Sequence, residues 1–187
     1  MDETSSENII HGPDSGAKVF FHKHVGNCHV HIGQKNKLDD LHIHFHVSNC
    51  TVTIGDDNHI RGHIFFKKLG GSVNIGQNNK MITGIFMNVG GPIMIGNRCL
   101  FSNAKFRSTD SHYIFDIQTG DQINPDAPIT IGDDVWLAED VMLFGGSSVG
   151  NGSVIGSRAL VTGEILENCL AAGIPAKTIR RGVRWKE

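Results

Sequence analysis

The 187-residue sequence has no excess of charge of one sign, because 17 Lys and Arg residues nearly balance 19 Asp and Glu residues. A nucleic-acid-binding chain is typically basic, so this balance argues against nucleic acid as the main partner. No apolar run approaches the roughly 20 residues that a membrane-spanning helix needs. The first segment, MDETSSENII, lacks the basic and apolar regions of a signal peptide. We therefore expect a cytoplasmic chain without a membrane span, whose four cysteines stay reduced.

Aliphatic residues recur every six positions near the carboxyl end, at Ile131, Leu137, Leu143, Val149, Ile155 and Val161. A small or β-branched residue follows four positions after each of them. An α-helix cannot use a period of six, because such positions drift around its axis. A triangular coil of three short strands uses six residues per side and places each aliphatic residue inside. The repeat therefore predicts an all-β fold, a parallel β-helix in which each coil contacts only its neighbours.

The amino-terminal half repeats more loosely, with Ile-Gly pairs that begin at 32, 54, 75, 95 and 131. Steps of 20 to 22 residues predict coils of eighteen with small bulges at the corners. The step of 36 predicts an insertion between Phe106 and Ile129, and a long loop in a solenoid is usually functional. We expect a poorly ordered leader over 1–16, a β-helix over 17–170 with the inserted loop at about 107–128, and a tail over 171–187.

Three motifs stand around and after the insertion: IGNRCLFSNAKFRSTDSHYIFDIQTGDQIN over 95–124, then ITIGDDVWLAEDV, then AAGIPAKTIR. With the repeat, they resemble the hexapeptide-repeat acyltransferases. The similarity is greatest to the capsule and lipopolysaccharide sugar O-acetyltransferases, relatives of galactoside and maltose acetyltransferase, and it covers roughly 70–181. It implies a left-handed β-helix, a homotrimer with active sites between neighbouring prisms, acetyl-CoA as donor and a sugar or polysaccharide hydroxyl as acceptor.

Acetyl transfer from a thioester to a hydroxyl needs a base for the hydroxyl proton, and a neutral imidazole suits this role near pH 7. His112 lies in the inserted loop and is the only histidine after residue 63. The resemblance places the catalytic histidine of the family at this position. Asp110, Asp116 or a backbone carbonyl could orient its ring. Asp110 and Ser111 are expected to line the site, although Asp110 could equally be an Asx-turn residue.

Trp136 follows the inward-facing Val135, so its side chain is expected to point outward from the prism. An exposed tryptophan on a solenoid is a recognition residue or part of a subunit interface. The resemblance puts Trp136 beside the acceptor or the pantetheine arm, and packing within the trimer is the alternative.

The resemblance also implies a coenzyme A site, to which the tail over 171–187 contributes. It places a backbone N–H near Ala138 beside the thioester oxygen, small residues along the pantetheine arm and cations at the phosphates. The expected cofactor-binding residues are Ala138, Gly145, Gly146, Ala159, Thr162, Lys177, Arg180 and Arg181. A solvated basic tail is the alternative for the last three. Two positions depart from the family, since Ala138 replaces a common glycine and Gly163 a frequent lysine.

Histidines and phenylalanines recur in the first coils. Counting back from each Ile-Gly pair aligns Phe20 with His42 and His63, and His22 with His44 and Phe65. Their alternation with apolar residues predicts that they face outward. Such a ladder could bind Zn²⁺ or Ni²⁺, or form a neutral polar face that becomes charged below about pH 6. We expect no resident metal.

Cys28 and Cys50 occupy equivalent positions and are expected on adjacent coils. They are either packed thiols or, if oxidised, close enough for a disulfide.

Two other functions are compatible with the same fold. One is N-acylation of an amino-sugar nucleotide, which uses the same donor. The other is a non-catalytic trimeric β-helix that binds a partner. The Asp-Ser-His loop favours an enzyme, because a scaffold has no need of a base there. The identity of the acceptor sugar does not follow from the sequence.

Overall fold

The computed structural model describes residues 7–187, which form twenty β-strands and no helix. Residues 1–6 of the expected leader lie outside the described residues. Within the rest of the range 1–16, the strand Ile9–His11 pairs in parallel with residues 29–31, so it belongs to the β-helix. The strands stack into the three faces of a parallel β-helix. The only antiparallel strand pair in the described range joins β19 (Cys169–Gly173) to β20 (Ala176–Arg181), at the carboxyl end. No helix that could cross a membrane occurs between residues 7 and 187.

The first face contains β1 (Ile9–His11), β3 (His29–Ile32), β5 (Thr51–Ile54), β7 (Ser72–Ile75), β9 (Ile93–Ile95), β12 (Ile129–Ile131), β15 (Ser148–Val149) and β18 (Glu164–Ile165). The second face contains β2 (Lys18–Phe21), β4 (Leu41–Phe45), most of β6 (His59–Phe66) and of β8 (Lys80–Val89), β11 (Ala104–Arg107), β14 (Met142–Phe144) and β17 (Leu160–Val161). The third face starts with the first residues of β6 and β8 and continues with β10 (Leu100–Phe101), β13 (Trp136–Leu137), β16 (Val154–Ile155), β19 (Cys169–Gly173) and β20 (Ala176–Arg181).

The core confirms the hexapeptide prediction. All six periodic aliphatic residues from Ile131 to Val161 are buried, and so are the six small or β-branched residues that follow them. In the amino-terminal coils the core also holds a stack of phenylalanines. The Phe45 ring lies 5.2 Å from that of Phe21 and 4.7 Å from that of Phe66, centroid to centroid.

A ladder of asparagine side chains closes one corner of the amino-terminal coils, a feature that the sequence analysis missed. The Asn58 amide donates to the carbonyl oxygens of Gly55 and Gly76, both at 3.0 Å. The Asn79 side chain donates to Asn58 Oδ1 at 3.0 Å and accepts from the Cys99 N–H at 2.8 Å. The signal was present, because each Ile-Gly pair at 32, 54 and 75 is followed three residues after the glycine by asparagine.

The register corrects the expected alignment of the first two coils. The count from the Ile-Gly pairs aligned Phe20 with His42, but the structure pairs Phe20 with His44 and Lys18 with His42. The corner over 22–28 is two residues longer than the corresponding corner over 46–50. Counting along the sequence therefore predicts which residues pair on adjacent coils only where successive corners have equal lengths.

The last coil is shorter than the expected eighteen residues. Ser148 pairs with Glu164 and Val149 with Ile165, a step of sixteen. The corner after Val161 is a two-residue turn, so Ile165 occupies a strand position in the first face.

The two stacked cysteines are free thiols in the core. Cys28 and Cys50 are both fully buried and unbridged. Burial, with a smaller contribution from Cys28, raises the pKa of Cys50 to about 11. The protonated form is therefore favoured at neutral pH, which fits packed thiols.

Candidate active site

The insertion lies where the repeat predicted it, over residues 108–128 at the corner between β11 and β12. Its base is fixed in the core, since Ser108 and Thr109 are buried. Ser108 Oγ accepts the Gly90 N–H at 3.1 Å and donates to the Gly91 oxygen at 2.8 Å. The loop therefore leaves the prism from a rigid point one coil above residues 90–91.

The loop folds into a short hairpin. The Ile123 N–H donates to the Ile114 oxygen at 2.8 Å, and the Ile114 N–H donates to Asn124 Oδ1 at 2.7 Å. At the turn, Asp116 Oδ1 accepts the N–H groups of Gln118 and Thr119 at 2.8 and 2.9 Å. These backbone donors lower the pKa of Asp116, so its carboxylate serves the turn.

His112 is exposed at the start of this hairpin. Asn124 Nδ2 donates to the His112 backbone oxygen at 2.9 Å and to Asp110 Oδ2 at 3.2 Å. Asn124 thereby ties the segment 110–112 to the far side of the hairpin. Among residues 7–187 the His112 imidazole has no hydrogen-bond partner, and Asp110 bonds to Asn124 rather than to the ring. Sequence analysis did not single out Asn124, although it ends the Asp-x-x-Thr-Gly-x-x-Ile-Asn run.

A cleft of about 280 Å³ lies beside the base of the loop. Asp110, Asn124 and Arg107 contribute its polar groups, and Phe144 and Gly145 form the wall on the next coil. The Gly145 N–H donates to the Arg107 oxygen at 2.9 Å, which holds that coil against the loop base. The expected lining residue Asp110 and the expected coenzyme residue Gly145 thus share one cleft.

One coil further along the same corner lies a second cleft, of about 250 Å³. It follows β17 and is lined by Thr162, Gly163 and Glu164 on one side and by Ala176, Lys177 and Thr178 of the carboxyl-terminal hairpin on the other. Two expected coenzyme residues, Thr162 and Lys177, therefore meet there. Because β11, β14 and β17 are consecutive neighbours in the second face, the two clefts are aligned along the prism.

Other expected residues lie elsewhere. Ser111 is exposed beside His112, and Gly146 lies at the corner after Gly145, where its N–H donates to the Pro128 oxygen at 2.7 Å. Ala159 is buried in the core, so its side chain does not line a channel. Arg180 and Arg181 are exposed on β20.

Trp136 and Ala138 belong to the third face, away from the corner that carries the loop. Trp136 is half-buried and points outward, with its ring 6.0 Å from that of Trp185. Trp185 Nε1 donates to the Asp134 oxygen at 2.6 Å, which holds the carboxyl-terminal segment on this face. The Ala138 N–H donates to the Ile155 oxygen at 2.9 Å. That N–H takes part in the coil ladder, and the expected role of Ala138 beside the thioester oxygen stays a prediction.

The loop also contacts an earlier coil and exposes an apolar surface. Lys68 Nζ donates to the Tyr113 hydroxyl at 2.6 Å and lies 4.1 Å from the centre of its ring. The large apolar side chains of the loop that are more than half exposed are Tyr113, Ile114, Phe115, Ile117 and Ile123.

Comparison with known proteins identifies the family. A protein of Mycobacterium tuberculosis named a probable acetyltransferase is 31% identical over 130 residues, which are 69% of this chain and 42% of the relative. The polysialic acid O-acetyltransferase of Escherichia coli O1:K1 is 33% identical over 94 residues, 50% of this chain and 31% of the relative. The crystal structure of the polySia-specific acetyltransferase NeuO matches with a TM-score of 0.74 and 27% identity, over 98% of this chain and 88% of that one. The chain belongs to the hexapeptide-repeat acetyltransferase family.

Membership in the hexapeptide-repeat acetyltransferases confirms the left-handed β-helix that the resemblance implied. No protein-family model matches the chain. The chain spans less than half the length of the two sequence relatives described above.

Proposed function

We propose that this chain transfers an acetyl group from acetyl-CoA to a hydroxyl of a sugar in a surface polysaccharide or its precursor, in the cytoplasm. The observation that carries the proposal is the cleft at the base of the loop. There, Ile123 and Asn124 of the hairpin line the cleft together with Gly145, and His112 follows two residues after the lining residue Asp110. The same corner continues to Lys177. The polysialic acid O-acetyltransferase relative supports the acceptor class.

In this proposal the His112 imidazole is the general base. It accepts the proton of the sugar hydroxyl as the hydroxyl oxygen forms a bond to the thioester carbonyl carbon. The tetrahedral intermediate then collapses, the carbon–sulfur bond breaks, and the coenzyme A thiolate leaves. The imidazolium returns the proton to this thiolate, so the histidine ends the cycle neutral. Asp110 and Asn124 position the His112 backbone.

The donor is proposed to lie along the corner that joins the two clefts. The pantetheine arm would pass Gly145 and Thr162, where small side chains leave room. Lys177 is the cation nearest the second cleft and, with Arg180 and Arg181 on the same strand, would contact the coenzyme phosphates. Glu164 lines the same cleft and opposes this attraction, so the arginines are expected to contribute more than in a site with a lysine at position 163.

Two copies of the chain are proposed to complete each site. The loop of one chain and its Trp136 lie on different parts of the prism, so a site that uses both must draw Trp136 from a neighbouring copy. The apolar loop surface from Tyr113 to Ile123 supports this, because an exposed apolar patch of this kind marks an interaction surface. A homotrimer of prisms satisfies both requirements. Light scattering at several concentrations tests the assembly state independently of activity.

The test of the proposed activity is release of the coenzyme A thiol from acetyl-CoA in the presence of sugar acceptors. The panel contains polysialic acid, neutral sugars and an amino-sugar nucleotide. His112→Ala is expected to lower kcat by about 10²–10⁴-fold, the usual contribution of a general base. His29→Ala, on the first face, is the matched control and should keep the wild-type rate.

Each outcome separates the alternatives. Full activity of a folded His112→Ala protein would remove the proposed base. Transfer only to the amino group of the nucleotide sugar would favour the N-acyltransferase. Absence of acetyl transfer to every acceptor, together with saturable binding of a polysaccharide, would favour a binding module.

A further inference from the structure

Three histidines of the amino-terminal coils converge on the second face. His42 and His44 lie two positions apart on β4, so both side chains point outward from the same side of the strand. His63 on β6 pairs directly with His42 across the ladder. One ring nitrogen from each of the three lies within 4.8 Å of the other two. This set crosses two coils of a single chain, and β8 separates its nearer strand, β6, from β11, after which the loop begins.

Two ring nitrogens of these histidines lack the partners that buried polar atoms normally have. His44 Nε2 and His63 Nδ1 are shielded from solvent and have no hydrogen bond to any residue in the range 7–187. Buried side-chain polar atoms usually have at least one partner, so each such atom needs an explanation. A cation bound among the three rings would provide a partner for imidazole nitrogens that have none in the chain.

The packing around His44 covers the two faces of its ring but leaves the ring edge free to bind a ligand. Phe20 stacks on His44 with centroids 4.8 Å apart, and Phe65 stacks on His44 at 4.6 Å. The lone pair of an imidazole nitrogen lies in the ring plane, so these faces can be covered without blocking it. The phenylalanines therefore fix the ring in the manner of outer groups that orient a metal ligand.

We propose that His42, His44 and His63 form a binding site for one divalent transition-metal ion, with Zn²⁺ as the ion tested. Imidazole nitrogen suits zinc, nickel and copper, whereas magnesium and calcium prefer oxygen ligands, and this triad offers nitrogen alone. Zinc–nitrogen bonds of about 2.0–2.1 Å place tetrahedral ligand atoms about 3.4 Å apart. The rings need to approach one another by at most about 1.5 Å. All three are only half-buried, so a solvent ligand can complete the coordination.

The site would join β4 and β6 by bonds stronger than the ladder hydrogen bonds, and so stabilise the amino-terminal coils. The proposal does not depend on acetyl transfer, because none of its residues belongs to the loop or to the two clefts.

Calorimetric titration of untagged, chelator-treated and dialysed full-length protein with ZnCl₂ tests the site. The expected result is one Zn²⁺ bound per chain with a rise in Tm, and no binding of Mg²⁺ at the same concentrations. His63→Gln and His42→Gln are each expected to weaken binding by at least about 100-fold, since even the loss of a group that only orients a ligand costs 10–100-fold. His29→Gln is the matched control and should bind as the wild type.

Three results would overturn the proposal. The first is undiminished Zn²⁺ binding by the double variant His42→Gln and His63→Gln. The second is a loss of Zn²⁺ affinity in His29→Gln equal to that in the triad variants. The third is no saturable Zn²⁺ binding by the wild type, in which case these histidines and phenylalanines form only a stack of aromatic rings. Circular dichroism checks that each variant folds. X-ray absorption at the zinc edge of the wild-type complex measures the number and distance of the zinc ligands without any substitution. We expect at least three nitrogen or oxygen neighbours at about 2.0–2.1 Å.

Discussion

The amino-terminal and carboxyl-terminal coils solve the same packing problem with different side chains. On the first face, Thr51 pairs with Ser72, a step of 21 residues, whereas Thr130 pairs with Ser148, a step of 18. The amino-terminal strands are four to ten residues long from β2 to β8, and the strands from β13 to β18 have two or three residues. The early coils are thus wider and contain phenylalanine, and the later coils are tighter and contain aliphatic residues.

The corners differ in the same way. Early corners are closed by the amides of Asn58 and Asn79, which are buried and bonded to two coils each. At the corresponding place in later coils the chain has Val135 and then Ser153. Both sets of coils therefore meet the same two requirements. Side chains must fill the inside of each coil, and the carbonyl groups at the corners must have hydrogen-bond donors. These donors can come from side chains or from the backbone. Three predictions test this difference, and a fourth concerns the loop that lies outside both sets of coils.

The largest effect is expected in the phenylalanine stack. Phe66→Ala removes a fully buried ring that lies 4.7 Å from Phe45, which should cost about 3–5 kcal/mol in the free energy of unfolding. Because each coil contacts only its neighbours, hydrogen exchange should rise in β4 and β6 while β14 to β17 stay protected. Phe86→Ala, whose ring points outward, is the control and should cost much less. A uniform loss of protection over all coils would contradict the division into two regions.

The second effect is expected at the asparagine corner. Asn79→Ala leaves Asn58 Oδ1, the Cys99 N–H and the Gly96 oxygen without their side-chain partner. Because buried polar groups without a partner are costly, the free energy of unfolding should fall by about 2–3 kcal/mol. The measurement is urea unfolding. Asn74→Ala, exposed on β7, should change the stability by less than about 0.5 kcal/mol. Equal stability of the two variants would mean that the ladder is not what closes these corners.

Much of the fold could be predicted from sequence, because the inward aliphatic residues must recur with the coil. The position of the loop also followed, since an insertion interrupts that period between Phe106 and Ile129. Corner lengths could not be predicted in the same way. A corner can gain or lose two residues, as at 22–28 and after Val161, without changing which residues point inward. The alignment of Phe20 and the length of the last coil were wrong for this reason.

The candidate site was predictable only in part. Motifs identified the loop and His112, but they did not show that Asn124 fixes the segment, that Ala159 is buried or that the Ala138 N–H is used in the ladder. These facts depend on which coil lies next to which. The histidine triad was also predictable in part. The count from the Ile-Gly pairs had aligned His42 with His63, but only the structure shows that the ring of His44 converges with these two.

A third, smaller effect concerns pH at the tight carboxyl-terminal coils. Asp133 Oδ1 accepts the Asn97 N–H at 2.9 Å, and Asp133 Oδ2 accepts from Arg98 at 3.2 Å. The Asn97 N–H, with Arg98 as a weaker cause, lowers the pKa of Asp133 below its usual 3.8. A carboxylate with a lowered folded-state pKa stabilises the protein above the unfolded pKa, and this stability is lost as the pH falls through the folded pKa.

Comparison of Asp133→Asn with the wild type checks this. Asparagine keeps the oxygen acceptor but not the charge, so the wild type should have the higher Tm at pH 6, and the difference should shrink as the pH falls below about 3.8. A difference that stays constant down to pH 2 would show that the charge of Asp133 does not contribute.

The smallest effect is expected in the loop, which belongs to neither set of coils. Asp116→Ala removes the carboxylate that accepts the N–H groups of Gln118 and Thr119. Because the hairpin lies outside the core, the global free energy of unfolding should change little, whereas exchange of these two amides should accelerate. Asp121→Ala, next to the same turn, keeps the two acceptor bonds and is the control. If the Asp116 variant instead lowered the stability of the coils, the loop would be part of the packing of the prism. Unchanged exchange would mean that the backbone bond between Gly120 and Asp116 suffices to hold the turn.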